Sequence, residues 1–300
     1  MANTKISDYA ELTTPADTDW LVTEQEDVSN KKLAWGTIKN RVWLPPGYIS
    51  GLVPSNDTDT DHDILVSAGY CIDSTNAKEM TLASGITKQI DAAWAVGSAA
   101  GGLDGTESSG GTPDASTIYH IYLIKRSDTG VVDVCFSENG PATGPSRDGT
   151  PIPAAYDYWR WIGWVKTDAP ANIVPGNWIG NSNQLEFWFK ARYSLATGLN
   201  QTSYTAQATT GAIPSGIVSE ALFGATGAAD AGGVWLSSDG TNARIIFSAT
   251  NISSAVGGRN ELYYSQFGSP IFIPIIANQI YYKVGGSTIA LYLRAVRYWR

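Results

Sequence analysis

The chain has 300 residues, of which 43% are hydrophobic and 16% charged, so it can bury a substantial core and is not of the disordered class. Its formal net charge of −8, without any Lys/Arg cluster, excludes the basic surface that nucleic acids and anionic membranes require. Gly, Trp and Tyr are abundant and long stretches of helical period are missing, which favours strands joined by tight turns.

The first predicted unit is a small polar segment, residues 1–42. Within "DWLVTEQEDVSNKKLAW" we predict strands from Trp20 to Thr23 and from Lys32 to Trp35, around an Asp-Val-Ser-Asn turn. Because a lone hairpin is marginal in water, we predict that this segment docks onto another chain. It has no apolar signal core, and the apolar stretches elsewhere are too short to cross a bilayer. We therefore expect folding in a cytoplasm and no membrane insertion.

The second predicted unit, residues 43–168, begins with a Pro-broken linker and continues as short strands of period two. We predict strands in "HDILVSAGYCID", "KEMTLASG" and "DYWRWIGWVKT", and a hairpin in "TIYHIYLIKRSDTGVVDVCFS". "GITKQIDAAWAVG" is predicted to be extended, although Ile86, Ile90 and Trp94 also fit one helix face. "AAGGLDGTESSGG" lacks the Lys-Ser/Thr ending of a phosphate-binding loop and is predicted to be a flexible loop.

The third predicted unit, residues 169–300, repeats this pattern with strands in "QLEFWFKARYS", "GIVSEALFGATG" and "GGVWLSSDGTNARIIFSAT", and in "IYYKVGGSTIALYLRAVRYW". "SSDGTNA" and "KVGGST" carry residues typical of hairpin turns. Short strands with Gly-rich turns predict a sandwich or a barrel. The sequence therefore predicts an all-β fold: two β-sandwich (jelly-roll-like) domains preceded by a small N-terminal anchoring hairpin.

Residues suited to catalysis are few. His62 and His120 are the only histidines, and no nucleophile elbow or catalytic-cysteine context accompanies them, so acyl transfer is not expected. Cys71 and Cys135 lie in apolar strand-like runs without zinc-site spacing and are predicted to be buried free thiols. We predict no catalytic residue, no cofactor and no enzyme activity. A carboxylate pair for glycoside hydrolysis stays open among the 28 acidic residues.

A ladder of carboxylates runs through "NDTDTDHDI", with an aspartate at every second position from Asp57 to Asp63. Asx-turn chemistry explains such a stretch at the start of a strand, and we favour that interpretation. The alternative is a calcium site with Asp57, Asp59 and Asp61 as ligands. The glycine of the EF-hand turn is missing, and His62 occupies that stretch.

Three aromatic residues of the third unit lie where strands meet turns: Trp178 in "PGNWIGNSN", Tyr204 in "NQTSYTAQ" and Trp235 in "GGVWLSSDG". Tyr and Trp combine an apolar ring with a hydrogen-bonding tip, as binding surfaces favour. We predict them as contacts to a receptor or glycan. Ordinary core or subunit packing is the alternative for all three.

A chain of phrases resembles a known module: "ISGLVPSNDTDTDHDILVSAGYCIDSTN", "ITKQIDAAWAVGSAAGGLD", "YHIYLIKRSDTGVVDVCFS" and "YDYWRWIGWVKTD". Together they cover residues 49–168 and resemble a module of tail-fibre and minor structural proteins of tailed bacteriophages. The opening "KISDYAELTTPADTDWLVTEQEDVSNKKLAWGTIK" is similar to N-terminal anchoring segments of phage fibres. The relatives carry a basic pair before the Ile-Gly of the last phrase. This chain has Trp159-Arg160-Trp161 there, which indicates a different strand neighbour or a subunit contact.

The resemblance implies a virion structural protein of the tail, assembled in the host cytoplasm. It would be a tail fibre or tail-tip component that docks onto other tail or baseplate proteins through residues 1–42. Its C-terminal part, residues 169–300, would contact a host surface glycan or protein during adsorption, and the resemblance implies a homotrimer. Two alternatives stay open: a polysaccharide depolymerase tailspike and a purely architectural tail or head-decoration protein.

Overall fold

The structure is a computed structural model, and it describes residues 20–23, 31–34, 45–106, 110–149, 151–180, 182–227, 234–241, 245–247, 272–285 and 288–300. The regular elements in these ranges are all β-strands, which confirms the predicted all-β class. None of the described segments is a helix that could span a membrane. The chain divides into two compact units, Met1–Pro45 and Pro46–Arg300.

The first unit contains a hairpin in which β1 (Trp20–Thr23) pairs antiparallel with β2 (Lys31–Ala34). This confirms the predicted hairpin, with the second strand shifted by one residue toward the N-terminus. The rest of the predicted docking segment lies outside the described residues. Docking through residues 1–42 therefore stays a prediction.

The second unit begins with ten strands: β3 (Ile49–Gly51), β4 (Pro54–Asn56), β5 (Asp63–Val66), β6 (Gly69–Ile72), β7 (Glu79–Leu82), β8 (Ile86–Ala93), β9 (Ala100–Leu103), β10 (Ile118–Lys125), β11 (Val132–Ser137) and β12 (Tyr158–Lys166). Nine more follow: β13 (Gly176–Ile179), β14 (Gln184–Leu199), β15 (Thr205–Ala208), β16 (Ser219–Gly227), β17 (Val234–Ser237), β18 (Ile245–Phe247), β19 (Ile273–Pro274), β20 (Gln279–Val284) and β21 (Ile289–Trp299).

These strands form four sheets in the second unit. Strands β3–β12 make a seven-stranded sheet of order β12-β10-β11-β9-β8-β5-β4 and a three-stranded sheet of order β3-β6-β7. Strands β13–β21 make a five-stranded sheet of order β13-β14-β21-β16-β19 and a four-stranded sheet of order β15-β20-β17-β18. Between the described strands, pairing therefore stays within each of the two predicted sandwich regions.

Side chains from both regions nevertheless pack into one hydrophobic core. The ring centres of Trp164 and Phe187 lie 5.1 Å apart, and those of Trp161 and Tyr298 lie 5.5 Å apart. Trp164 and Trp161 of β12 thus contact strands β14 and β21. The division into separate domains at residues 168/169 stays a prediction.

Arg300 joins the two regions through its side chain. Its guanidinium donates hydrogen bonds to four carbonyl oxygens, those of Gly51, Leu52, Ile162 and Ser182, at distances between 2.6 and 3.3 Å. Burial lowers the pKa of Arg300 to about 10, so the group keeps its charge at neutral pH. The buried charge is therefore matched by carbonyl dipoles rather than by a carboxylate.

One strand prediction and one loop prediction of the second predicted unit need correction. "HDILVSAGYCID" forms two strands in different sheets, because the chain bends between β5 and β6. A Cβ on Gly69 would lie 2.4 Å from the Ser50 carbonyl oxygen, so the backbones meet where only glycine fits. "AGGL" (Ala100–Leu103), predicted as part of a flexible loop, is strand β9. A Cβ on Gly101 would lie 2.0 Å from the Ala93 carbonyl oxygen, so this glycine permits close strand contact.

One turn prediction is also wrong, and one strand prediction is confirmed. The strands on either side of "KVGGST" pair in different sheets, β20 with β15 and β17 and β21 with β14 and β16, so they form no hairpin. "GITKQIDAAWAVG" is extended as predicted. Ile86, Lys88 and Ile90 of β8 are buried at every second position.

Candidate functional site

The outer face of the four-stranded sheet carries two aromatic rings around one lysine. Every second residue of β20 is buried, and Lys283 lies among those that point the other way. Lys283 is opposite Trp235 of β17, and its Nζ is 5.1 Å from the centre of the Trp235 ring. The Tyr204 ring centre lies 6.0 Å from the same Nζ. We call Tyr204, Lys283 and Trp235 the aromatic row.

Tyr281 extends this surface by a third ring. It lies one step along β20 from Lys283, opposite Ala206 of β15 and Ser237 of β17. The side chain of Gln279 donates a hydrogen bond to the Tyr281 hydroxyl at 2.9 Å. A Cβ on Gly240 would lie 3.0 Å from the Tyr281 ring, so the β17–β18 turn crosses close over it. The ring is therefore held in place at the edge of the aromatic row.

The side chains of the aromatic row suit a polar ligand that also has apolar faces. Partial burial, and to a smaller extent the Asp239 carboxylate, raise the pKa of Tyr204, so its hydroxyl stays protonated. Within the described part of the chain, Lys283 forms no salt bridge. Its ammonium contacts the two ring faces instead, at cation–π range. Rings, an ammonium and hydroxyls within one row can stack on a sugar ring and hydrogen-bond its substituents.

Trp178, the third aromatic residue predicted for receptor contact, lies elsewhere. Its side chain is 8% exposed and packs against Phe187, with ring centres 4.7 Å apart. It belongs to the core between the two regions, which was the alternative stated for it. The structure thus brings together Tyr204 and Trp235, which are 31 residues apart in sequence, and leaves Trp178 outside their site.

The Asp57 and Asp59 carboxylates of the acidic ladder accept hydrogen bonds from their own loop, and Asp57 also accepts one from Thr87 of β8. Asp57 accepts from the Thr58 amide at 2.9 Å and from the Thr87 hydroxyl, and the latter bond is the main reason that its pKa is lowered. Asp59 accepts from the Asp61 amide at 3.1 Å and lies 3.0 Å from Nδ1 of His62, which lowers the pKa of Asp59 and raises that of His62.

These bonds are those of Asx-turn chemistry. Among the described residues, no three His, Cys, Asp or Glu side chains are grouped so that they could hold a metal ion. Asp61 is exposed, and its backbone amide rather than its carboxylate bonds to Asp59. Calcium binding by Asp57, Asp59 and Asp61 stays a prediction.

The two cysteines and His120 are buried. Cys71 and Cys135 are free thiols in the core, as predicted, and burial raises the pKa of Cys71 to about 12 and that of Cys135 well above its ordinary value. Burial also lowers the pKa of His120 to about 4. These thiols are therefore protonated and His120 is neutral at pH 7, which suits packing rather than nucleophilic chemistry.

A small apolar concavity lies between the ends of several strands of the seven-stranded sheet. Its volume is about 340 Å³, and it is lined by Trp94, Val96, Arg126, Thr129, Val131, Pro153 and Tyr156. Val96 and Val131 are 64% and 41% exposed. The sequence analysis did not predict this concavity, although Val96, an apolar residue beside the Gly-rich stretch, was a signal for it.

The outer face of the five-stranded sheet carries a row of three charged side chains. Glu186, Arg297 and Glu220 lie opposite one another on β14, β21 and β16. Arg297 donates to Oε1 of Glu186 at 2.8 and 2.9 Å and to Oε2 of Glu220 at 3.0 Å. Its guanidinium also lies 3.9 Å from the centre of the Phe272 ring. We call Glu186, Arg297 and Glu220 the ion triad.

Exposed apolar side chains lie near the strands that carry the ion triad. Six large hydrophobic side chains are exposed in the described residues, and four of them lie in strands of this sheet or within two residues of one: Ile179, Val218, Ile276 and Trp299. Strand alternation turns Ile179 and Trp299 to the same side as the ion triad, and Val218 is bonded through its carbonyl to the Trp299 amide. We call these four residues the apolar rim. Exposed apolar side chains grouped in this way are typical of a protein contact.

No family model matches this sequence, and no curated protein matches it closely enough to indicate a relationship.

Proposed function

We propose that this protein is a bacteriophage virion structural protein, a tail fibre or tail-tip component that contacts the host cell surface. The aromatic row is the observation that carries the host-contact part of this proposal. In this row the rings of Tyr204 and Trp235, both predicted from the sequence as receptor contacts, lie around the ammonium group of Lys283 on the outer face of a sheet. The phage assignment rests on the resemblance of residues 49–168 and of the N-terminal segment.

The arrangement of the aromatic row fits a surface glycan as the receptor. Sugars present apolar C–H faces for stacking and hydroxyl groups for hydrogen bonds, and the two requirements are met by Trp235, Tyr204 and Lys283 within one cross-strand row. The strand register places Trp235 and Lys283 opposite each other, so this part of the surface is formed before a ligand binds. Virion attachment through residues 1–42 leaves the C-terminal part to make this contact.

We further propose that the protein is a homotrimer and that the apolar rim and the ion triad form part of the contact between copies. Exposed Ile, Val and Trp side chains around a partly buried charged row supply the apolar surface and the polar pairing that a specific interface combines. A cyclic assembly would cover the apolar rim on each copy without leaving an open edge.

Labelling of purified particles tests the virion assignment. Antibodies against the chain, bound to tailed particles that carry its gene and viewed by negative-stain electron microscopy, are expected to mark the tail. Particles assembled with a chain that lacks residues 1–42 are expected to carry no label, although the shortened protein still folds. Label on the capsid would instead support the decoration alternative, and no label on any particle would refute the proposal.

A separate assay addresses the depolymerase alternative. Under our proposal the purified protein releases no oligosaccharide from host polysaccharide. The carboxylates of the ion triad are engaged by Arg297, and neither Glu186 nor Glu220 is left as an unpaired acid for leaving-group protonation. Release of oligosaccharide by the parent protein would favour the tailspike alternative.

A further inference from the structure

A lysine and an aspartate face each other in the core of the seven-stranded sheet. Lys88 of β8 is 0% exposed and Asp133 of β11 is 1% exposed, and Nζ of Lys88 lies 3.0 Å from Oδ1 of Asp133. Strand β9 lies between β8 and β11 in the sheet, so the two side chains connect strands that are not neighbours. The proposed function assigns no role to this pair.

The groups around the pair hold both side chains in contact. Oδ1 of Asp133 accepts a hydrogen bond from the Val134 amide at 2.7 Å, and Oδ2 accepts one from the Gly97 amide at 2.8 Å. Nζ of Lys88 also donates to the Ala95 carbonyl oxygen, and it lies 5.2 Å from the centre of the Trp94 ring. Backbone groups and the Trp94 ring thus hold the Lys88 ammonium and the Asp133 carboxylate in contact.

Burial makes the ionised form of the pair costly. Two charges removed from water lose most of their hydration, and their mutual attraction recovers only part of that loss. Burial lowers the pKa of Lys88, against the opposing effect of the Asp133 carboxylate. A desolvated lysine is a nucleophile in its neutral form, and proximity replaces an encounter step.

We propose that Lys88 and Asp133 join through an amide bond within the folded protein. The Lys88 ammonium first gives one proton to the Asp133 carboxylate, which leaves a neutral amine beside a neutral carboxylic acid. The amine nitrogen attacks Cγ of Asp133, and a second proton passes from the nitrogen to the departing hydroxyl. One Asp133 oxygen and two former ammonium protons leave as water, so the reaction is redox-neutral and needs no further reactant.

The neighbouring groups suit both the reaction and its product. The Gly97 amide donates to Oδ2, where negative charge develops as Nζ attacks, in the manner of an oxyanion hole. The single N–H of the product amide keeps the Ala95 carbonyl oxygen as its acceptor, and the product carbonyl keeps a backbone amide donor. A neutral, hydrogen-bonded amide replaces a buried ion pair, which removes the desolvation cost.

The bond would reinforce the weakest part of the sheet. β9 pairs with β11 through one residue pair, Phe136 with Leu103, and with β8 through three. A covalent link from β8 to β11 spans β9 and restricts the unfolded chain, as other cross-links do.

Intact-mass spectrometry of the purified full-length protein under denaturing conditions tests the proposal. The parent is expected to be lighter than its unlinked sequence by the mass of one water molecule. Lys88→Met and Asp133→Ala are expected to show their full calculated masses. Lys166→Met is the matched control, because Lys166 is also buried but donates to the Ser116 carbonyl oxygen. This variant is expected to keep the loss of water.

Peptide mapping of the parent protein detects the bond directly, so the test does not depend on whether a variant folds. Trypsin is expected to leave Lys88 uncut and to yield residues 79–125 linked to residues 127–147. A parent of full mass, with separate peptides that end at Lys88 and contain Asp133, would overturn the proposal. Loss of water located at any other residue would overturn it as well.

Discussion

Lys283 and Trp235 face each other across β20 and β17, and Nζ of the lysine lies 5.1 Å from the centre of the indole ring. The register of two strands that are distant in sequence produces this contact. It makes the lysine the centre of a surface with two aromatic rings, because Tyr204, the residue before β15, also approaches it. Alternation along β20 then directs the whole row away from the core.

Replacement of Arg300 by alanine is expected to destabilise the protein by about 3 kcal/mol, because four backbone carbonyls lose a charged donor. Urea unfolding followed by tryptophan fluorescence measures the change. Arg126→Ala is the control: Arg126 is paired with Asp128 near the surface, where solvent screens the pair, so a much smaller change is expected. Equal midpoints for parent and Arg300→Ala would contradict the role of this side chain.

Acid is expected to destabilise the fold partly through His120. Its pKa falls from an ordinary 6.5 to about 4 in the folded protein because of burial. The unfolded chain therefore binds the proton first as pH falls, and stability present above pH 6.5 is lost progressively toward pH 4. Between about pH 7.5 and pH 5 the loss amounts to about 2 kcal/mol.

His120→Phe removes this titration, so unfolding midpoints measured at the two pH values should differ less than in the parent. His62 supplies a control of opposite sign. Asp59 raises the pKa of His62, so its contribution is present at low pH and is lost as pH rises. His62→Gln should leave the acid-induced loss intact or slightly larger. An unchanged pH dependence in His120→Phe would rule out the buried neutral histidine as its source.

Calcium is expected to leave the melting temperature unchanged, because the carboxylates of Asp57 and Asp59 are already used by hydrogen bonds of their loop. Differential scanning calorimetry with added calcium and with chelator makes the comparison. A rise of several degrees that depends on calcium, and that disappears in Asp59→Asn, would show instead that the ladder binds the ion.

The apolar rim is expected to hold copies of the chain together. Val218→Glu places a charge on a side chain that is 71% exposed, so the folded monomer tolerates it while an apolar contact between copies does not. Light scattering after size-exclusion chromatography should show a trimer for the parent and a smaller species for the variant. Val96→Glu, the same change at another exposed valine, should remain trimeric. A monomeric parent would contradict the proposed contact.

Strand positions were largely predictable from the sequence because alternation is a local property. The period-two pattern identified β8, β12 and β14, and the hairpin turn between β10 and β11 was recognised from "SDTG". Sheet membership was not predictable in the same way. The break between β5 and β6 depends on contact of Gly69 with the Ser50 backbone, and β9 depends on glycines that fit against Ala93 and Phe136. Both are long-range contacts that composition does not encode.

The candidate site was predictable only in part, for the same reason. Tyr204 and Trp235 were selected by their position beside turns, but their partner Lys283 follows from strand register. Trp178 met the same local criterion and is buried, because alternation along β13 turns this residue toward Phe187. The ion triad and the apolar rim combine β13, β14, β16 and β21, which lie up to 120 residues apart. No local pattern connects them.

The most direct test of the proposed function is competition for host adsorption. Purified full-length parent is expected to block adsorption of the phage that carries its gene. Trp235→Ala and Tyr204→Ala, checked for an unchanged oligomeric state and unfolding midpoint, are expected to need about tenfold more protein for the same effect. Tyr70→Ala, at an aromatic pair with Tyr48 on the three-stranded sheet, should compete like the parent. If the two folded variants of the aromatic row also compete like the parent, receptor contact through this row is contradicted.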